Sequence, residues 1–513
     1  MLMLQKEPAE PDIVARALAK NRLGVPSVVF FGVAGAAPLT VIIGAISAIY
    51  AIIGSTAVPI AYVAVAGILS LFTVGFVAMS RHIVNSGAFY SYISHGLGRV
   101  IGVGAAFVAL PAYSLMQIGL FGLFGSAASG ILAEFGLVTP WYVCAIAAWL
   151  VVAVLGLLWV DLSGKVLAVL LVAEITIVVL YDVVMVAHPA GGHVDFSPFN
   201  PEPLFTPVVG TLLVLAVAGF VGFEATVVLS EETKDPKKTI GRATHWAVLL
   251  AGALCAVSAW AMSVTTGPAN IAATASQHQT DLVFFLVSKH LPVALVDMGY
   301  LLFLTSVLAA LLAFHAAVSR YQFALGREGV LPAVWGRTHP RTGAPLAGSI
   351  TQSVLAIVVL SAYAIAGAEP LVYVFAWLTT IGGLGVLILM WATSAAVIGF
   401  FARGRRSENV WRAYLAPFMS FLLLSVVLTA TVIGFGELLQ VDGDSPFQWL
   451  IPVLYLGVAA LGFIWAAIMR AARPEVYAQI GRGADGRTSI LSDIQWPTKQ
   501  LHGDPVGARG YPY

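Results

Sequence analysis

The residues with the most chemical potential in this chain are acids and hydroxyls set inside long apolar runs. Glu174 stands near the centre of VLLVAEITIVVL, with no basic residue within two turns on its own helix. A carboxyl group taken out of water without a cationic partner has its charged form disfavoured. Such a group can be neutral in one conformation and charged in another. An acid there could take a proton, attract a cationic group or ligate sodium, and the structural alternative is a protonated acid bonded to a neighbouring carbonyl. Glu224 closes the run AVAGFVGFEAT, where it could accept backbone N–H bonds or sense an amine. Tyr113 and Gln117, four residues apart, share a helix face and offer either adaptable hydrogen bonds or a packed core with satisfied tips. Thr305 and Ser306 are the hydroxyls closest to hand as partners for Glu174, and His315 reads first as a satisfied helix histidine. Polar groups at membrane depth are costly and tend to face partners or cavities.

The elements that must position these groups are membrane spans. The chain has 513 residues, of which 59% are hydrophobic and 10% charged, with a mean hydropathy of +0.92 and a net charge of +1. Soluble domains carry roughly 25% charged residues, so this is a polytopic membrane protein. Twelve apolar runs recur, each long enough for a hydrocarbon core of about 30 Å. They begin near residues 25, 57, 100, 140, 163, 207, 244, 292, 345, 370, 413 and 447. The first 20 residues are polar and the first run is too long for a signal peptide, so that run is expected to stay as a span. With both termini cytoplasmic, 25 of the 26 Lys and Arg residues fall inside, Lys289 being the exception, as the positive-inside rule requires. Cys144 and Cys255 lie within apolar runs and suggest no disulfide.

Two runs are interrupted. GVAGAAPLT, residues 32–40, places Pro38 after a row of small residues, and proline removes a helix donor and crowds the preceding turn. Opened backbone cannot face lipid, so such a break must be buried in protein or line a cavity. The second interruption, Gly219 to Phe223, falls five spans later. Interrupted helices at matching places in two halves point to a transporter built from inverted repeats, with its site at the midplane. Freed N–H groups there favour an anion and freed C=O groups a cation, and a zwitterion suits both. Arg81 to Gly98 reads as an interfacial loop. The charged stretch EETKDPKKTIGR, with Pro236 as a stop, reads as either a solvated loop or a gate tied to Arg81, Arg320 or Arg327. Arg327-Glu328-Gly329 reads as turn punctuation.

FVGFEATVVLSEETKDPKKTIGRA resembles the signature of the amino acid/polyamine/organocation (APC) superfamily of permeases. GVAGAAPLT is similar to that family's unwound first helix, NSGAFYSYISHGLGRVIG to its first inner loop, and HAAVSRYQFALGREGVLPAVWGRTHPRTGAP to its helix 8 end. The resemblance runs in register over roughly residues 25 to 400. It implies secondary transport of amino acids or related amines, with carboxylate and amine held by the backbone of spans 1 and 6. Proton-coupled relatives often carry a lysine near the position of Glu174, a pattern from which this sequence departs.

The expected architecture is all-α, with twelve spans. A cytoplasmic segment (1–24) precedes a first five-helix repeat (25–187). An outer loop (188–206) leads to a second, inverted repeat (207–401), followed by two peripheral helices (402–470) and a cytoplasmic tail (471–513). The expected substrate contacts are Ala34, Gly35, Ala36, Ala37, Tyr113, Gln117, Phe220, Val221, Gly222, Phe223 and Trp377. Glu174, Glu224, Thr305 and Ser306 are expected to serve coupling to H+ or Na+. The expected partners are a small amino acid or amine and the lipid bilayer of the cell membrane. No metal cluster, cofactor, nucleotide-binding loop, nucleic-acid patch or nucleophile constellation is legible, which argues against an enzyme. A channel is the other rival class.

Overall fold

The computed structural model describes residues 28, 32–33, 35–83, 85–158, 164–205, 209–228, 233–339, 343–404, 408–442 and 444–483. Residues 1–24, Ala34, Glu231, Glu232 and most of the tail lie outside them. Among the described residues there are helices and no strand, and nine helices are apolar and long enough to cross a membrane. The elements used below are α1 (Pro38–Ile53), α2 (Val58–Ser80), α3 (Ala88–Leu97), α4 (Arg99–Glu134) and α5 (Trp141–Leu158). They continue with α6 (Gly164–Ala187), α7 (Val209–Ala218), α8 (Pro236–Thr266), α9 (Val293–Arg327) and α10 (Leu346–Ile365). The last are α11 (Pro370–Arg403), α12 (Trp411–Ile433), α13 (Phe447–Ala472) and α14 (Pro474–Gln479).

Backbone groups in lipid must be satisfied within the chain, which is why apolar runs of this length become helices. The core is built on α4, which packs against α5, α9, α11 and α13, and on α8, which packs against α2 and α6. α4 and α8 each bury 72% of their most apolar stretch against 22% for α13, so α13 is peripheral and its exposed Leu456 and Leu461 face lipid. Arg81 and Arg412 meet Glu408 at 3.3 and 3.7 Å, and Arg403 donates to the Gly96 carbonyl at 2.8 Å, so these cations gather at one end of the bundle, here called the basic end.

Several sequence expectations need correction. Pro236 starts α8 instead of stopping a helix, because in a first turn its missing N–H is no loss. The expected interfacial loop holds α3, whose Tyr90 and Tyr92 are fully buried. The connection between α8 and α9, which the sequence leaves as a long loop, contains two short helices, Ile271–His278 and Leu282–Ser288. In the first interruption Gly32, Val33, Gly35 and Ala36 are helical, and the break is concentrated at Ala37, with φ 37° and ψ 69°. A left-handed alanine costs about 1–2 kcal/mol. Pro38 then serves as the first residue of α1, which contains a wide π turn over Val41–Ile46.

Candidate binding site at two helix breaks

The second interruption opens further than the first. From Gly219 to Phe223 the backbone makes tight turns, with Phe220 N–H donating to Val217 O and Val221 N–H to Ala218 O. Gly222 has φ +118°, a conformation that only glycine adopts without strain. The two breaks approach backbone to backbone at Gly35 and Gly222. A Cβ on Gly222 would lie 2.2 Å from the Gly35 oxygen, and one on Gly35 would lie 2.6 Å from the Gly222 oxygen. Both positions therefore demand glycine.

Glu224 holds the second break in shape. Its carboxylate accepts the Gly222 N–H at 2.9 Å and the Tyr113 hydroxyl at 2.5 Å, and the group is 1% exposed. Tyr113 in turn packs on Phe314 and Tyr321, tying α4 to α9. Tyr113 and Glu224 line a small hollow with Gly35, Gly222 and Ala317 on one side of the breaks.

On the other side lies a cavity of about 90 Å³. Its wall combines Gly35, Ala36, Ala37 and Val221 with apolar side chains, among them Met116, Leu120, Phe314 and Phe375. The polar side chains on it are Thr40, Thr379 and Thr380, and none of the described residues that line it is ionisable. The first turn of α1 has no side-chain cap and Thr40 of that turn lines the cavity, so this helix end suits an anionic group. Past Ala48, Ile52 and Phe375 the cavity continues into a second one of about 230 Å³, walled by Trp377 and by Ser276 and Leu439 of the loops opposite the basic end. The opening thus faces away from the basic end.

Glu174 reaches this cavity indirectly. The Ser306 hydroxyl lies within interaction range of its carboxyl group, and Thr40 of α1 donates to Ser306 at 3.1 Å. Glu174 is 6% exposed, Ser306 1% and Thr40 4%. A carboxyl group on α6 is therefore two hydroxyls away from the cavity wall.

The other expected site residues sit elsewhere. Thr305 spends its hydroxyl on the Leu302 carbonyl of its own helix, because the next position, Ser306, is the one that faces α6. Phe220 and Phe223 turn toward α2, against Tyr62 and Phe72, and do not line the cavity. Gln117 belongs to a buried network, accepting from Gln352 at 2.6 Å and meeting His315 Nδ1 at 3.2 Å, while His315 Nε2 meets Ser349 at 2.7 Å. His315 is thus satisfied on both ring nitrogens. Trp377 donates to the Leu439 carbonyl at 3.0 Å in the outlying cavity. Arg81 pairs with Glu408; Glu231 and Glu232 of the charged stretch lie outside the described residues. Thr379 and Thr380 went unnoticed in the sequence, although they follow the same helix face as Phe375 and Ala376. So did Asp182, eight residues beyond Glu174, which is buried and accepts from Ser258 at 2.8 Å. A second acid two turns along one apolar run was the available signal.

Comparison with known proteins shows the family to which the chain is similar. A family model described as amino acid permease matches residues 27–476. The low-affinity putrescine importer PlaP of Escherichia coli is 26% identical over 307 residues, covering 59% of this chain and 60% of that protein. The branched-chain amino acid permease BcaP of Bacillus subtilis is 25% identical over 282 residues, 51% of this chain and 57% of its own length. The BcaP of Lactococcus lactis is 26% identical over 388 residues, 69% and 77% of the two chains. The chain thus spans three fifths or less of the length of the first two relatives.

Proposed function

The chain belongs to the amino acid permease family, and on that premise we propose that it is a secondary transporter of neutral amino acids with aliphatic side chains, working by alternating access. The observation that carries this reading is the cavity wall: opened backbone on one side, and on the other apolar side chains with three threonines and, among the described residues, no ionisable group. The uncapped first turn of α1 suits a carboxylate, and the turned carbonyls after α7 suit an ammonium group. An aliphatic side chain then fills the part lined by Met116, Leu120 and Phe375. A diamine would need an acid for its far end. The acid at the breaks, Glu224, already accepts from Gly222 and Tyr113.

The twelve-span arrangement with two inverted repeats belongs to the same proposal, as does insertion in the cell membrane with cytoplasmic termini. Its support is the pair of touching breaks and the clustering of arginines at one end. The proposed coupling ion is the proton. Protonation of Glu174 alters what Ser306 and then Thr40 donate to, and Thr40 lies on the cavity wall. Equilibrium binding of radiolabelled leucine to purified protein, competed by valine, lysine and putrescine, tests the substrate class. Competition by valine with none by putrescine is expected, and the reverse order would overturn it.

A further inference from the structure

Beyond the transport site, a dense polar cluster among the described residues lies at the basic end and involves the chain after α13. Glu328, just past α9, is 5% exposed and accepts from four donors. One carboxylate oxygen takes Asn85 Nδ2 at 2.9 Å and Gly483 N–H at 2.9 Å, and the other takes Gly481 N–H at 2.6 Å and the Tyr90 hydroxyl. That fills the acceptor capacity of a carboxylate with charge-assisted bonds. The Gly481 carbonyl answers by accepting from Ser91 at 3.0 Å and Asn85 at 3.2 Å. Gly481 and Gly483 have φ +83° and +60°, so the turn that presents both N–H groups to one carboxylate requires glycine. The preceding residues are seated as well. Ile480 is buried, Arg99 lies over the Tyr477 ring at 5.5 Å, and Val476 closes on Gly329.

Three segments meet at this point: the α2–α3 connection, the end of α9 and the segment after α13. The first two carry the closure beneath the site. Phe89 N–H of α3 donates to Tyr321 of α9, and Tyr321 packs on Tyr113, the partner of Glu224. Any opening at the basic end that separates α9 from α3 must break the Glu328 cluster. The segment 474–483 covers that cluster from outside the bundle and donates two of its four bonds.

We propose that residues 474–483 form a strap that locks the basic end shut, with Glu328 as its catch, and that the strap must leave before the site opens to that side. This rests on the alternating-access reading above. The test uses two reporter cysteines, each in the full chain. Ala317→Cys lies in the hollow on the basic side of the breaks, and Ile52→Cys lies in the cavity on the opposite side. Labelling rates with a hydrophilic maleimide are measured in detergent, where both ends are accessible, for the parent, for a chain ending at Arg473 and for Gly481→Val. The valine variant keeps the full length but places a branched side chain at positive φ, 3.0 Å from Ser94 Cβ.

Both strap variants are expected to label Ala317→Cys about tenfold faster and Ile52→Cys more slowly, as loss of charge-assisted bonds shifts the population toward the other opening. Equal acceleration at both reporters would mean general loosening, and no change at Ala317→Cys would mean a static staple. Either result overturns the strap. Reporter labelling in the parent that responds reciprocally to amino acid would still support alternating access in that event, so the two ideas fail separately. Glu475→Gln, on the exposed face of α14, should leave both rates at parental values.

Discussion

Replacing Glu224 by alanine should disable substrate binding while leaving the bundle folded. The carboxylate is the acceptor for Gly222 N–H at 2.9 Å and Tyr113 O–H at 2.5 Å in a site closed to water. Its removal leaves two buried donors without acceptors, at about 1–3 kcal/mol each, so the break geometry loses about 2–6 kcal/mol. Because every 1.4 kcal/mol is a factor of ten, apparent affinity should fall at least about 30-fold as the competent population drops. Glu224→Gln keeps one acceptor oxygen, and its amide can donate to a rotated Tyr113 hydroxyl, so a loss of about 1 kcal/mol, or fivefold, is expected. The pair with Tyr113→Phe is the sharper test. Once Glu224 is alanine, deleting the tyrosine hydroxyl removes a stranded donor, and the double variant should bind no worse than Glu224→Ala alone. Equilibrium binding of labelled leucine, with circular dichroism melts to certify folding, reads all four proteins. A folded Glu224→Ala that binds within about threefold of the parent would refute the reasoning about the break.

Gly222→Ala should abolish binding outright, since its Cβ would lie 2.2 Å from the Gly35 oxygen and φ is +118°; a scintillation proximity assay with folded protein checks it. Ser306→Ala removes the hydroxyl between Thr40 and Glu174. It should uncouple uptake from an imposed pH gradient while leaving substrate binding within about threefold, since no cavity-wall backbone is touched. Glu174→Gln should likewise lose gradient-driven accumulation in proteoliposomes. Accumulation unchanged in that variant would remove Glu174 from coupling, and strict sodium dependence at constant pH would replace the proton. Thr380→Val should change affinities among aliphatic amino acids by less than about tenfold, because one hydroxyl on an apolar wall is exchanged for a methyl group.

The helices and the two breaks were legible because their signals are local. Apolar length gives a span, and proline or paired glycines among small residues interrupt it. The pairing of Glu224 with the opened backbone was also within reach, since the acid stands two residues after Gly222. What the sequence hid depends on which way a residue faces after packing. Phe220 and Phe223 flank Gly222, yet the turns from Gly219 onward rotate both toward α2, leaving Val221 on the cavity. Thr305 and Ser306 are adjacent, and the 100° between them sends one to its own helix and the other to Glu174. Glu328 looked like part of a turn because its partners, Asn85, Tyr90 and Gly481, come from distant parts of the chain. Pro236 misled for a different reason: the same residue ends a helix or begins one, depending on which side continues.

The account is tested most directly by counterflow in proteoliposomes loaded with an unlabelled amino acid. Parent protein with internal leucine should accumulate external radiolabelled leucine transiently and saturably, internal valine should substitute for leucine, and internal putrescine should not. Liposomes carrying Gly222→Ala should show no overshoot. An overshoot driven by putrescine but by no neutral amino acid would contradict the apolar site, and linear, unsaturable entry without overshoot would contradict a carrier altogether.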